Sequence, residues 1–581
     1  MRNGVTSQPF LLRWTTKTSL SSRIQDPLGM YVLKFLEDYF LPGITTQTER
    51  LRYFSFLTWA WKQIADKKLD WNKILDMEKV LTLIAAMHHD NDPNSPKGIR
   101  NKSDAAEFLS HHETIDLDKF TRFGRKNKDG YGNFYYKGPL KTLRILWREN
   151  DNIRFSSIGK RIAMLIDNLS PMATVFLKKR FSKQELSKLH SFCFCDEKIL
   201  AEERKIWRMV FFGFTNLTKD GDLRIDFASY RDFKEGRLVI SPTFSLPLGI
   251  SEELSLQTDK EAVLEKILAQ DHQKIEERNY WRRYTLFLIM KIIAEAEPEI
   301  SKLNQTIRDA IYFRQVFTKN GKIKNLDFGQ LEGVRRLWEV YVHNLYYISI
   351  FEIIFRILLE KIREKPLGIT LDAIVSSFDL REIKRTMEKW GMIIKDRDPE
   401  ITQIENKVKS IVGERTNLWN FLNERNLFLK SLKSTSYEER LANLLLLLIL
   451  LKHRYESFSK EQIKVLSYRE RGLFSLKPKI IYSTLIRDKI SRFIKDVFAL
   501  VKNRHLYIAS VKYHKFGTRS WLFTEEHNLL YYYGRNYQIR GYREAKWRNV
   551  IELLLDMKLL KKEGKRILLS GVGEKWLAKI T

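Results

Sequence analysis

The feature that most constrains the fold is a long segment, Leu331–Ile362, that is apolar on almost every side when it is drawn as a helix. Its apolar side chains at helical spacing are Val334, Leu337, Trp338, Tyr341, Leu345, Ile348, Phe351, Phe355 and Leu358. A helix without a polar face is stable in water only when other elements enclose it. The segment therefore predicts a helical bundle with Leu331–Ile362 near its centre.

The same helical period dominates the rest of the chain, and strands are few. Helices are predicted at 27–40, 73–87, 260–296, 380–391, 403–430, 437–457, 460–467 and 481–503, and from Tyr53 to Trp61 with Thr45 and Thr48 as candidate N-caps. Strands are predicted at Phe134–Tyr136, Asn152–Phe155, Leu238–Ile240, Leu506–Lys512, Arg519–Phe523 and Arg566–Leu569. No segment is expected to reach the ~20 apolar residues that span a bilayer, and Leu441–Leu451 is predicted to be a buried core helix.

The composition is strongly basic, since 102 Lys and Arg against 71 Asp and Glu give a formal net charge of +31. Hydrophobic residues make up 44% of the chain, which excludes a disordered basic tail protein. Such an excess of cations predicts a polyanionic partner, most simply nucleic acid. The two cysteines exclude a disulfide scaffold and predict a reducing, cytoplasmic location.

The C-terminus shows a helix, a hairpin and a second helix in succession. Tyr542–Met557 is the predicted helix, Lys558–Leu569 the predicted β-hairpin around Gly564, and Ser570 the cap of the last helix. This order resembles the end of a winged helix-turn-helix domain. In that fold the helix before the hairpin enters the major groove, and the hairpin, or wing, lies along the backbone.

Cations lie where such docking would need them, since residues 535–581 hold twelve Lys or Arg and five Asp or Glu. The residues expected in the groove are Arg540, Arg543, Lys546 and Arg548. The residues expected to clamp the phosphate backbone from the wing are Lys561, Lys562, Lys565 and Arg566.

A second copy of this pattern lies upstream. Lys137–Trp147 begins as a helix, Arg148–Asp151 is a predicted turn, Asn152–Phe155 is the return strand, and Ser156 matches Ser570 in position. Residues 119–161 hold twelve basic and three acidic residues. The DNA contacts predicted here are Lys137, Lys141 and Arg144. Winged helices also bind proteins, so an interaction module is the alternative.

A third basic stretch, Lys460–Lys515, carries fourteen Lys or Arg against four acidic residues. The aromatic residues interleaved with them are Tyr468, Phe474, Tyr482, Phe493, Tyr507 and Tyr513. Aromatic side chains beside cations can stack on unpaired bases. The favoured interpretation is that these aromatic residues form the core face of basic helices.

Metal-ligating residues occur without a recognisable spacing. His88-His89-Asp90 with Asp92, and His111-His112-Glu113 with Asp116, are interpreted as solvated loop residues or helix caps. His190, Cys193 and Cys195 could offer a few ligands, but a C-x-C pair alone cannot close a tetrahedral site, so buried thiols are expected. No metal and no cofactor is predicted.

Nuclease signals are equally weak. Asp379 followed by Glu382-Ile383-Lys384 has the residue types of a restriction-type metal site, but it lies in a helical pattern. Arg336 and His343 resemble the Arg and His of HEPN-class helical ribonucleases, yet Leu337 departs from that pattern. His343 lies on an apolar helix and is interpreted as a core histidine.

Several further segments carry a wider resemblance. They are Pro42–Thr45, Arg50 with Arg52–Phe56, Tyr136–Leu140 with Ser156 and Gly159, Trp338–Leu359 with His343-Asn344 and Glu352, and Arg504–Leu506. Through them the chain resembles a group of uncharacterised bacterial proteins associated with mobile elements and phage-defence loci. The resemblance implies a prokaryotic cytoplasmic protein in a defence or mobile-element system, and it implies no activity.

These patterns predict a mainly α, multidomain helical protein with two winged-helix-like modules and a few short β-hairpins. The predicted domains are an N-terminal helical domain (1–118), a winged-helix-like module (119–180), a central helical domain (181–370), a basic helical domain (371–503) and a C-terminal winged-helix-like module (504–581). The predicted function is non-catalytic binding of duplex DNA. The alternatives are a metal-dependent or HEPN-like nuclease and an assembly subunit with an acidic protein partner.

Overall fold

A computed structural model describes most of the chain. The described residues are Leu28, Glu37, 40–45, 48–89, 102–120, 136–149, 152–195, 198–218, 222–237, 279–460, 462–463, 478–516, 519–534 and 546–580. The predicted strand Leu238–Ile240, most of the predicted helix at 27–40, and the predicted contacts Arg540 and Arg543 lie outside them.

The described residues are mainly helical, as predicted. The first ten helices are α1 Leu51–Asp66, α2 Lys73–His88, α3 Lys102–His111, α4 Lys137–Thr142, α5 Ser157–Asp167, α6 Lys183–Ser187, α7 Ala201–Phe211, α8 Phe227–Lys234, α9 279–296 and α10 Leu303–Phe313. They continue with α11 Glu332–Arg363, α12 Leu371–Ser376, α13 Leu380–Glu388, α14 Ile401–Val412, α15 Glu424–Lys433, α16 Tyr437–Glu456, α17 Pro478–Leu485, α18 Ile490–Phe516, α19 Trp547–Asp556 and α20 Gly571–Leu577.

The strands are short and pair antiparallel. They are β1 Thr114–Asp116, β2 Leu146–Glu149, β3 Asn152–Phe155, β4 Arg180–Ser182, β5 Thr215–Leu217, β6 Leu223–Ile225, β7 Gln315–Phe317, β8 Ile323–Asn325, β9 Ile369–Thr370, β10 Phe523–Glu526, β11 Leu529–Tyr532, β12 Leu560–Glu563 and β13 Arg566–Leu569. The pairs are β1–β4, β2–β3, β5–β6, β7–β8 and β12–β13, and β9 joins the β10–β11 hairpin as a third strand.

The long apolar helix predicted at the centre of the bundle is confirmed as α11, which is buried along most of its length. Helices α10, α15, α16 and α18 pack around it. Within the described ranges, Gly329–Arg363 is also the one helix long and apolar enough to cross a membrane, although the sequence analysis expects no such segment. The apolar part of that helix is 89% buried inside the protein.

Charges inside the bundle are paired. Glu339 of α11 accepts hydrogen bonds from Arg335 and from Arg454 of α16, both at 3.0 Å, and Arg454 also bonds to Glu424 at 2.9 Å. Burial alone would raise the pKa of Glu339, but the guanidinium groups of Arg335 and Arg454 outweigh it and lower that pKa. Because an unpaired buried charge is strongly destabilising, this network fixes how α11, α15 and α16 meet.

The C-terminal helix–hairpin–helix unit, α19–β12–β13–α20, is held by a short chain of backbone contacts. Lys558 ends α19 with a positive φ of 59°. The carbonyl of the next residue, Leu559, accepts the N–H of Ser570 at 3.1 Å. The Ser570 side chain then caps α20 by accepting the N–H of Gly573 at 3.0 Å. The end of one helix is therefore tied directly to the start of the next, and the hairpin projects between them.

The upstream unit, α4–β2–β3–α5, repeats these contacts position for position. The equivalent residues are Arg144 with a φ of 55°, Ile145, Ser156 and Gly159. The register of β2–β3 also matches that of β12–β13. The local repetition predicted from the sequence is thus confirmed as a repeated helix–hairpin–helix unit.

Two further units of this kind were not predicted. In α7–β5–β6–α8, Gly213 has the positive φ of 63°, the carbonyl of Phe214 accepts the N–H of Asp226 at 2.9 Å, and the Asp226 side chain caps α8. In α10–β7–β8–α11, Arg314 has a φ of 59° and its carbonyl accepts the N–H of Leu326 at 2.8 Å. The fourth unit enters α11 through a 3-10 turn instead of a capped helix start.

Several local predictions are wrong. Leu506–Lys512 is not a strand but part of α18, which also runs without a break across the predicted domain boundary at 503. The predicted helix at 403–430 is two helices, α14 and α15, because Gly413 ends the first with a positive φ. Arg148 and Glu149 belong to strand β2 and not to a turn, and Arg519–Phe523 is strand only from Phe523. Neither Thr45 nor Thr48 caps α1, whose N-cap is Arg50.

The repeated unit makes a direct prediction about its glycines. A Cβ on Gly573 would lie 2.0 Å from the carbonyl oxygen of Leu559, whereas a Cβ on Gly571 would meet nothing within 4 Å. We expect Gly573→Ala to destabilise the protein by about 1–3 kcal/mol, since backbone must move to relieve the overlap. Gly571→Ala, two residues away in the same helix, should be neutral or slightly stabilising. Thermal unfolding of both variants decides the matter, and equal midpoints would contradict the expectation.

Candidate nucleic-acid interface

The candidate recognition helix is largely a core helix in its described part. Seven of the ten residues of α19 are buried, and the ring of Trp547 packs 5.7 Å from Trp338 and 6.0 Å from Tyr341 of α11. Of the two predicted groove contacts that the structure describes, Arg548 is exposed, but Lys546 is only 3% exposed. Lys546 is therefore not available to a groove in this conformation, because Trp547 draws the start of α19 into the core.

The hairpin that follows α19 is placed differently. The side chains of Lys561, Lys562 and Lys565 are exposed, and that of Arg566 is half-buried. Lys562 pairs with Glu552 of α19 at 3.3 Å. The Lys562 side chain is still exposed, so its ammonium group stays accessible to a ligand. The predicted cations of the wing thus lie at the surface.

One edge of this hairpin is bonded to the turn between α9 and α10. Ile300 donates its N–H to the carbonyl of Lys565 at 2.9 Å, and Ile567 donates to the carbonyl of Pro298 at 3.1 Å. Because this edge is bonded to residues 298–300 at two positions, the hairpin is fixed relative to the helical body. Its exposed lysines are consequently held in place and not carried on a loose loop.

A second lysine-rich hairpin reaches the same turn. The β7–β8 hairpin exposes Lys319, Lys322 and Lys324. Lys324 pairs with Glu295 at 2.5 Å, and Lys319 pairs with Glu297 at 3.8 Å. Asn320-Gly321 between apolar flanks is a hairpin signal, although the sequence analysis predicts no strands here.

The two hairpins together form what we call the two-hairpin surface. Its cations are Lys319, Lys322, Lys324, Lys561, Lys562 and Lys565. Both hairpins contact residues 295–300, the β12–β13 hairpin through backbone hydrogen bonds and the β7–β8 hairpin through Lys319 and Lys324. The carboxylates of Glu295 and Glu297 neutralise part of this charge and orient the β7–β8 lysines.

Beside this surface lies a cavity of about 460 Å³. Arg548 and Lys562 line it together with Glu552 and with side chains of α10 and α15. Arg548 therefore faces a concave part of the surface next to the wing, and not an open helix face.

The upstream unit exposes fewer of its predicted contacts. Lys141 is exposed, while Lys137 and Arg144 are half-buried. The Lys137 ammonium lies 4.8 Å from the centre of the Trp61 ring, a cation–π contact with α1. Arg144 has the positive φ that ends α4, so its backbone has a structural role of its own.

The aromatic residues of the third basic stretch, Lys460–Lys515, differ in their burial. Tyr482 and Phe493 lie in the core, as the favoured interpretation expects, whereas Tyr507 and Tyr513 are each 41% exposed on α18. Tyr468 and Phe474 lie outside the described residues.

The residues considered for nuclease chemistry are divided between the core and the surface. His343 is fully buried, its Nε2 lies 3.0 Å from the hydroxyl of Tyr482, and burial lowers its pKa to about 3. Arg336 is exposed and pairs with Glu332 at 3.2 Å. Asp379 caps α13, and Glu382 pairs with Arg385 on that helix at 2.7 Å, which is the helical setting anticipated.

The structure brings together two histidine and cysteine motifs that the sequence analysis treats separately. His88 is the last residue of α2 and His89 its C-cap, and both lie beside the buried Cys193 and Cys195. A hydrogen bond from the Cys193 thiol, and a second from the ring of His89, lower the pKa of Cys195 to about 5. The other histidine pair stays apart, since His112 bonds to the carbonyl of Phe108 at 2.9 Å and His111 is exposed.

In comparisons with known proteins, no family model, no curated protein and no solved structure matches the chain.

The C-terminal unit is held to the N-terminal helix by Asp556, the last residue of α19. Its carboxylate accepts the N–H of Leu51 at 2.8 Å and pairs with Arg50 at 2.9 Å, so it caps α1 from the other end of the chain. Arg204 and Arg208 of α7 donate to the carbonyls of Asp556 and Met557 at 2.9 and 2.8 Å. These cations satisfy the C-terminal carbonyls of α19.

We expect Asp556→Asn to cost about 3–5 kcal/mol, because it leaves the buried Arg50 guanidinium without its carboxylate. A matched control is Asp66→Asn, which breaks the exposed Lys62–Asp66 pair on the same helix and should cost at most about 1 kcal/mol. Thermal unfolding and limited proteolysis of the C-terminal unit measure both. A midpoint for Asp556→Asn no lower than that of the control would contradict the capping role.

Proposed function

We propose that the protein binds nucleic acid without catalysing a reaction, and that duplex DNA is the favoured ligand. The contact is made by the wings of its winged-helix-like units, chiefly by the two-hairpin surface. The observation that supports the proposal is that two hairpins, which together expose six lysines, both contact residues 295–300.

Ammonium groups held on rigid hairpins suit phosphates better than base edges. Lysine is a point charge that accepts many geometries, whereas base readout needs side chains placed deep in a groove. Hairpin tips can follow the sugar–phosphate backbone without entering a groove. The binding proposed here is therefore mainly electrostatic and weakly sequence-dependent.

This proposal differs from the sequence prediction in what the helix does. A recognition helix must present a face to the groove, but the described part of α19 presents Arg548 alone among its cations. We therefore assign the phosphate contacts to the six lysines of the two-hairpin surface, and a supporting contact to Lys141 of the upstream unit. The net charge of +31 supports long-range attraction of the polyanion. A cytoplasmic role in a defence or mobile-element system stays a prediction from the resemblance.

The test compares two quadruple variants with the same change in net charge. The first is Lys319→Glu, Lys322→Glu, Lys561→Glu and Lys565→Glu on the two-hairpin surface. The control is Lys67→Glu, Lys68→Glu, Lys389→Glu and Lys395→Glu, which reverses four exposed lysines elsewhere. Binding to duplex DNA, single-stranded DNA and RNA is measured across a salt series.

We expect the first variant to bind duplex DNA more weakly and to lose about 0.9 of the log–log salt slope for each phosphate contact removed. The loss should be similar for unrelated sequences. The control should keep most of the wild-type slope, because none of its four lysines belongs to the two-hairpin surface. Equal slopes for the two variants, or no binding of wild-type protein to any of the three nucleic acids at moderate salt, would sink the proposal. In the second case an acidic protein partner becomes the better interpretation.

A further inference from the structure

Four metal-ligating side chains meet where the end of α2 approaches the segment after α6. They are His88 and His89 from α2 and its C-cap, and Cys193 and Cys195 from the segment that follows the 3-10 turn His190–Phe192. One ligand atom from each of the four lies within 4.8 Å of the other three. This is the one group of its kind in the part of the chain that the structure describes.

The distances suit a small tetrahedral ion. Cys195 Sγ lies 3.7 Å from His88 Nδ1, and that same Nδ1 lies 3.1 Å from His89 Nε2. Zinc–sulfur bonds near 2.3 Å and zinc–nitrogen bonds near 2.0 Å give tetrahedral edges of roughly 3.5 Å between S and N and roughly 3.3 Å between two N. The two observed separations are therefore close to those of ligands that share one ion.

The backbone explains how neighbouring residues can both serve as ligands. His88 is helical, whereas His89 leaves the helix with φ −126° and ψ 40°. The change of direction lets the two rings converge from successive residues, one through Nδ1 and the other through Nε2. Phe194 between the two cysteines turns away, and its ring stacks on Tyr53 at 5.2 Å.

The cysteine segment is also held in place by contacts other than the four side chains. Arg50 donates to the carbonyl of Phe194 at 2.7 Å, and Arg52 donates to the carbonyl of Ser191 at 2.8 Å. Both arginines lie on or next to α1, so the ligands are presented by a fixed frame. A preorganised set of ligands needs little rearrangement to accept an ion.

We propose that His88, His89, Cys193 and Cys195 bind one Zn²⁺ ion with a structural role. Two thiolates and two imidazoles are a donor set that tetrahedral zinc prefers. Two thiolate charges neutralise the ion, so the complex can be buried beside Cys193 without a net charge. Four protein ligands leave no open position for water, which assigns the ion to cross-linking α2 and the His190–Cys195 segment and not to catalysis.

This proposal stands apart from nucleic-acid binding, because none of the four residues belongs to the two-hairpin surface. It also corrects the separate interpretation of the motifs. A C-x-C pair cannot close a tetrahedral site alone, but two histidines more than a hundred positions earlier in the chain complete it.

The test uses full-length protein purified without a metal-affinity tag. Elemental analysis should find one zinc per chain. Removal of the metal with a chelator should lower the thermal unfolding midpoint, and readdition of Zn²⁺ should restore it. Titration of the metal-free protein with Co²⁺ should give the absorption bands of tetrahedral cobalt with thiolate ligands, with an end point at one equivalent.

The variants Cys195→Ser and His88→Gln should lose the zinc and the cobalt spectrum. The control His190→Gln should keep both, since its ring lies 6.1 Å from that of His88 but outside the four-residue set. Should a ligand variant fail to fold, the metal content and the cobalt titration of the wild-type protein still decide the question. Wild-type protein that contains no zinc and gives no tetrahedral cobalt spectrum overturns the proposal, and so does a Cys193→Ser, Cys195→Ser double variant that retains zinc.

Discussion

Two arginines at the start of α1 hold much of the molecule together. Arg50 and Arg52 are buried, and each is matched by a carboxylate from a distant element, Asp556 at 2.9 Å and Glu203 at 2.8 Å. Burial of a guanidinium group is tolerated only when its charge is paired. Since these partners come from α19 and α7, the pairing requires that two helix–hairpin–helix units dock on the N-terminal helix. The same arginines donate to carbonyls of the His190–Cys195 segment. One short stretch of α1 therefore positions both the C-terminal unit and the proposed zinc ligands.

That requirement also explains why the proposed nucleic-acid contact is assigned to the hairpin of the C-terminal unit. A helix whose last residue caps α1 and whose first residue packs on α11 cannot leave the core to enter a groove. The hairpin has one edge bonded to residues 298–300 and its tip in solvent, so it combines rigidity with exposure. The β7–β8 hairpin is also exposed, and its Lys324 and Lys319 pair with Glu295 and Glu297. Phosphate binding by fixed lysines loses less side-chain entropy than binding by lysines on a mobile loop.

The parts of this structure that sequence could predict are those set by local chemistry. An all-round apolar segment must be central, and Leu331–Ile362 is. Apolar runs around Gly564, followed by a capping serine, predict a hairpin and a helix start, and the unit at 547–577 confirms both. The unit α7–β5–β6–α8 was not predicted because its sequence differs at two positions. Asp226 replaces serine as the helix cap, and Gly213 replaces a residue with a side chain at the positive φ. Burial of Lys546 could not be read from its neighbours, because it depends on Trp338 and Tyr341, about two hundred positions away. The cluster of four metal-ligating residues could not be predicted for the same reason. Tertiary packing brings its two segments together, and neither segment alone has the ligand spacing of a metal site.

The two proposed sites lie in different regions of the molecule, and each region has the chemistry that its site needs. Binding of a polyanion needs cations at the surface, and the six lysines of the two-hairpin surface are exposed, while Lys319, Lys324 and Lys562 also pair with carboxylates. A closed zinc site needs enclosed thiols and neutral imidazoles, and these lie where α1, α2 and the 190–195 segment meet. Arg50 joins the two regions, because it contacts Phe194 on one side and Asp556 on the other. An ion that stiffens the 190–195 segment would fix one partner of Arg50, and α19 would in turn be held by a guanidinium group with less freedom to move. An ion bound at the proposed site would thus act on the C-terminal unit through packing alone, without contact to the proposed nucleic-acid surface.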